Sequence, residues 1–193
     1  KEDDEPNGPK SRNPHRKNFT AFFSVATFTT VRRHIFQLVA SSQLAGFAAP
    51  PTPTSGWDAD CGCLVFDGED DHVALTPWEL GGGALSIEAY VRYDAFNMWS
   101  RVVDFNDGVQ TNDIFLGNID DTSTARWLIR DDDGNDSDIL VANFWKLGEW
   151  THVVATVQAS GGRMELYRDG VLIGQGSQAN RASACGCHRS ALA

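Results

Sequence analysis

Apolar and polar residues alternate with a period of two along most of the chain beyond residue 63. Val153, Ala155 and Val157 alternate with His152, Val154 and Thr156, and β-branched residues on both faces are what a strand inside a packed sheet requires. Ile87, Ala89, Val91 and Tyr93 form one inward face, leaving Ser86, Glu88, Tyr90 and Arg92 outward. Asp169-Gly170 separates two further apolar runs. A type I′ turn needs positive φ at both central positions, which these two residues tolerate, so a hairpin is predicted there. The same reading predicts strands over 64–67, 73–75, 85–93, 101–105, 113–116, 125–130, 139–142, 151–158, 163–168 and 171–174. Short strands punctuated by Gly, Asn and Asp predict a sandwich of two antiparallel sheets.

Before residue 57 the pattern changes. Residues 1–18 carry almost no apolar content and are expected to be disordered, because they bury too little surface to offset chain ordering. Val31, Ile35, Leu38 and Val39 fall on one helical face, which predicts a helix from Thr30. Pro50, Pro51 and Pro53 then make a stiff linker. The expected organisation is a disordered or weakly helical tail over 1–56 and one all-β domain over 57–193. Arg32-Arg33-His34 followed by Ile35 to Ala49 has the outline of a signal peptide, diluted by Gln37, Ser41, Ser42 and Gln43. The chain has no run of about 18 consecutive apolar residues, so no membrane-spanning helix is predicted.

The 193 residues are 41% hydrophobic, enough for one ordinary core. Their net charge of −10 makes nucleic acid an unsuitable partner, since a negative surface repels phosphates. A cation or a neutral polar ligand suits it better. Cys61/Cys63 and Cys185/Cys187 form two Cys-Gly-Cys pairs that bracket the β-region. Their spacing leaves three readings open: disulfides in an oxidising compartment, free thiols, or a four-thiolate zinc site, for which Cys-x-Cys is tight.

Six segments in order, FDG (66–68), SIEAYVRYDAF (86–96), WSRVVDFNDG (99–108), NDIFLGN (112–118), GEWTHVVATV (148–157) and LYRDGVLIGQG (166–176), resemble the laminin-G-like, or concanavalin A-like, jelly-roll domains. The likeness runs from about Cys63 to Ser190. It implies an all-β, two-sheet antiparallel jelly-roll sandwich that binds a carbohydrate or an extracellular or cell-surface protein. Such domains close with a further strand, and Ser183 to Ala193 resembles only the segment before it. The resemblance therefore implies a domain without its last strand, its first strand at Leu64 to Asp67 left with an open edge.

Sugar-cleaving members of the same fold carry a Glu-x-Asp-x-x-Glu strand, which sets the two carboxyls on one face. Here Glu88 is followed by Tyr90 where the Asp would stand, and no Gly-x-Ser-x-Gly elbow is present. No enzymatic activity is predicted. For sugar recognition the informative types are aromatics that stack and polar groups that bond hydroxyls. Trp99, Arg101, Asn106, Asn112, Trp127 and Arg130 are the candidates, with core packing as the competing role of Trp127. Trp145 and Trp150 are expected to pack, and His152 reads as a strand histidine.

Closely spaced carboxylates in a loop offer hard oxygens for calcium. Asp131, Asp133 and Asn135 are the metal candidates, against a solvated turn in which Asp and Asn bond their own backbone. The expectation is thus a non-catalytic recognition module with calcium as its candidate cofactor; the alternative is a ligand-free structural domain of a larger surface protein.

Overall fold

The computed structural model describes residues 19–28, 43–45, 56–58, 60, 63–68, 71–75, 78–79, 84–106, 112–131, 133–158, 162–177, 186–187 and 189–192. In chain order the strands are β1 (Phe19–Phe28), β2 (Gln43–Ala45), β3 (Gly56–Asp58), β4 (Cys63–Phe66), β5 (His72–Leu75), β6 (Trp78–Glu79), β7 (Ala84–Tyr93), β8 (Arg101–Asn106), β9 (Ile114–Asn118), β10 (Ala125–Arg130), β11 (Asp136–Val141), β12 (Trp150–Val157), β13 (Arg163–Arg168), β14 (Val171–Ser177), β15 (Gly186–Cys187) and β16 (Arg189–Leu192). They build a first sheet ordered β14-β13-β12-β7-β1-β4-β3, a second ordered β11-β10-β9-β8-β16-β5-β2, and a small β15-β6 pair. The result is the expected all-β jelly-roll sandwich. Among the described residues no helix is long and apolar enough to cross a membrane.

The period-two pattern works as predicted. Ile87, Ala89, Val91 and Tyr93 are buried and meet Phe105, Leu116, Trp127 and Ile129 of the facing sheet in one core. Each of the larger aliphatic and phenyl side chains removed from water contributes about 1.5–3 kcal/mol. Trp145 closes one end, its ring 4.9 Å from Tyr93 and 4.7 Å from Phe144. Burial there pushes the Tyr93 phenol up, far from ionisation. The hairpin forms as read, with φ of 51° at Asp169 and 79° at Gly170.

At one side the two sheets pinch together. A Cβ on Gly174 would stand 2.6 Å from Ile139 Cγ2, and one on Gly176 would stand 3.2 Å from Ile139 Cγ1. Glycine at these two positions is what lets β14 lie against β11.

Two strands come from the segment expected to be a tail. β1 lies in the middle of the first sheet, paired with β7 from Phe19↔Tyr93 to Phe28↔Ala84 and with β4 from Phe19↔Phe66 to Ala21↔Leu64. β2 joins the second sheet through β5. The Phe, Val and Thr content of Phe19–Phe28 favours a pleated strand, and the facing edges of β7 and β4 need backbone partners. The open edge expected on Leu64 to Asp67 is therefore filled, by β1 on one side and β3 on the other. The helix expected from Thr30 falls on residues outside those described, as do residues 1–18 and the proline linker.

β11 also begins earlier than the alternation suggested. Asp136 and Asp138 read as turn residues, yet they pair across to β10, where arginines neutralise them.

Candidate functional site

On the second sheet the residues pointing away from the core form an ion-paired strip. Ala125, Trp127 and Ile129 of β10 face inward, so Arg126 and Arg130 share the opposite face. Arg130 holds Asp136 with two bonds, Nε to Oδ1 at 2.5 Å and Nη2 to Oδ2 at 3.1 Å, and donates Nη1 to Asp113 Oδ2 at 3.1 Å. Arg126 donates Nη2 to Asp136 Oδ2 and Nε to Asp138 Oδ2, each at 2.9 Å. The bond from Arg130 and the charges of both guanidiniums hold the Asp136 carboxyl below the usual range, against partial burial. On β8, Asp104 takes Arg101 Nε at 2.9 Å and Asn106 Nδ2 at 2.8 Å.

Trp99 stands at the rim of this strip. Its φ is 58°, a left-handed conformation that is rare for a bulky residue and costs on the order of 1–3 kcal/mol. The surrounding bonds hold it there. Trp99 N donates to Asp120 O at 3.0 Å, and Asn118 Nδ2 donates to Asn97 O at 2.9 Å and to Asp120 O at 2.7 Å. A Cβ on Gly117 would meet Ser100 O at 2.3 Å, so only glycine permits this turn to lie on β9. The half-buried Trp99 ring is packed by Phe115, 6.1 Å away edge-on, and by the Arg126 guanidinium 5.9 Å from its centroid.

Of the six candidate sugar-binding residues, the fold brings Trp99, Arg101, Asn106 and Arg130 to this face. Asn112 sits at one end of it, with φ of 55° and its N–H donated to Asp131 O at 3.2 Å. Trp127 is not there. It is fully buried, with Nε1 donated to Thr156 O at 3.2 Å, because strand parity turns it opposite to Arg126. The sequence reading missed Arg126, Asp104, Asp136 and Asp138; the visible signal was Arg-x-x-x-Arg on one predicted strand followed by Asp-x-Asp.

The acidic metal candidates form a self-capped turn. Asp131 is buried; its Oδ1 accepts the N–H of Asp133 at 3.0 Å and of Asn135 at 2.8 Å, and its Oδ2 accepts Asn135 Nδ2 at 3.1 Å. This is the Asx geometry of a turn. Among the described residues no group of three or more His, Cys, Asp or Glu is arranged to hold a metal ion.

The outer face of the first sheet departs from expectation in one aromatic. Trp145 packs as expected, but Trp150 lies outside the core, stacked on exposed Tyr90 at 4.9 Å with Arg92 5.6 Å from its ring. His152 faces the same way, its Nε2 2.8 Å from Glu88 Oε1. Of the cysteines, Cys63 is buried in β4, Cys187 lies in β15, and Cys61 and Cys185 fall outside the described residues.

The laminin-G-type family model described as the concanavalin A-like lectin/glucanases superfamily matches residues 67–187. No curated protein matches the chain. The match takes in β5 to β15 and with them the whole ion-paired strip; the chain belongs to the concanavalin A-like lectin/glucanases superfamily.

Proposed function

We propose that this chain is a non-catalytic recognition module of an extracellular or cell-surface protein, binding a carbohydrate or a protein through the outer face of β8 to β11. The observation that carries the reading is Trp99, a half-buried aromatic held in a strained backbone conformation beside polar groups that both donate and accept. Strain of this kind persists only where the surroundings over-determine it, and it clusters at functional positions. The carboxylates support a binding role over a catalytic one. A glycosidase acid must hold its proton near neutral pH, whereas the arginine pairing of Asp136 drives its proton off.

Trp99→Ala is expected to weaken binding to immobilised polysaccharide or matrix protein by about tenfold or more, without lowering the unfolding midpoint. Equal binding by the variant and the native protein would move the site off this face.

Oxidised cysteines belong to the same reading, supported by the burial of Cys63 in β4. Calcium at Asp131, Asp133 and Asn135 would have to displace the backbone N–H groups from Asp131 Oδ1, so the ion is left out of the proposal. One set of thermal unfolding curves tests both points. Reductant is expected to lower the midpoint, and calcium to leave it where chelator does. An upward shift with calcium, removed by chelator, would place the ion in the native state.

A further inference from the structure

We infer that the ligand of the β8 to β11 face is an uncharged glycan, and that sulfated or uronate-bearing glycans are turned away; this rests on the reading of that face as the binding surface. Its three guanidiniums are all engaged by carboxylates of the same face: Arg101 by Asp104, Arg126 by Asp136 and Asp138, and Arg130 by Asp113 and Asp136. Three positive and four negative charges leave the strip at a formal −1, within a chain of net charge −10.

An acidic glycan is bound by guanidiniums that turn their forks towards sulfate or carboxylate. Here a sulfate would have to draw Arg126 or Arg130 off its partners, or rest on the half-exposed Arg101 alone, which Asp104 already holds through Nε. Their side chains are only 15% and 20% exposed, so the carboxylates left behind would be partly desolvated and unpaired. The excess negative charge would repel the incoming anion as well.

A sugar hydroxyl makes no such demand. It donates to a carboxylate and accepts from a guanidinium at once, so it adds to an Arg–Asp pair without breaking it. Ionised carboxylates offer about four acceptor positions each, and Asp138 uses one oxygen for Arg126. The half-buried Trp99 beside the pairs suits the C–H face of a neutral pyranose.

The test is affinity electrophoresis of the full chain in gels containing a neutral β-glucan, a neutral galactomannan, heparin or chondroitin sulfate, each at low and high salt. Retardation by a neutral polysaccharide, unchanged by salt, and no retardation by either sulfated one are expected. Asp136→Asn releases both arginines in part and is expected to create salt-sensitive retardation by heparin; Asp138→Asn is the second variant if the first fails to fold. Heparin retardation of the native protein that falls with salt overturns the inference and leaves the recognition reading standing. So does the absence of any gain in a folded variant. Retardation by none of these polysaccharides overturns the glycan assignment, and the recognition reading then stands or falls on the Trp99→Ala comparison with matrix protein.

Discussion

Trp127→Ala is expected to destabilise the protein by about 3–5 kcal/mol, close to the whole stability of many single domains. The indole is fully buried on β10 of one sheet, and its Nε1 donates to a backbone carbonyl of β12 in the other. Truncation removes one of the two largest side chains of the core and opens a cavity that neither sheet can collapse into, since both are fixed by their ladders. Trp127→Phe keeps most of the packing and loses the inter-sheet hydrogen bond, a change of about 1–3 kcal/mol. Urea unfolding followed by far-ultraviolet circular dichroism gives both midpoints. If the alanine variant unfolded at the native midpoint but lost glycan binding, Trp127 would be a surface residue and the core assignment would fail.

Removing residues 1–28 is expected to abolish cooperative unfolding. The deletion takes β1 from between β7 and β4, a ladder ten residues long on the β7 side. Two rows of backbone donors and acceptors would be exposed inside a sheet, and β4 and β3 would lose their connection to the rest of it. At about 0.5–1.5 kcal/mol net for each ladder hydrogen bond, the loss is comparable with the total stability of an ordinary domain. Thermal unfolding of the deletion variant checks this, and a synthetic peptide of residues 19–28 added in trans is expected to restore a sigmoidal transition. A deletion variant with the native midpoint would show that β1 is dispensable.

The sandwich was legible in the sequence because alternation and hairpin chemistry are local. Val153, Ala155 and Val157 announce their face without reference to any partner, and Asp169-Gly170 announces its turn. β1 was not legible, because what makes Phe19–Phe28 a strand is the pair of edges it fills, and β7 lies more than fifty residues away. The start of β11 was hidden for a related reason. Asp136 and Asp138 look like loop residues until Arg126 and Arg130 stand opposite. At the candidate site the parity of Trp127 was read incorrectly. A shift of one position along a strand exchanges core for surface, so Arg126 belonged to the face for which Trp127 was nominated. Trp150 escaped by the same route, since its apolar neighbours in sequence are not its neighbours across the sheet.

The place of β1 between two later strands also sets an order in time. It leaves the ribosome before Leu64–Phe66 and Ala84–Tyr93, the stretches it must lie between, and at about 5–20 residues per second several seconds pass before both exist. During that interval a segment rich in Phe and Val has no sheet to enter. Every completed molecule has therefore closed its first sheet around a segment that was made first and incorporated late.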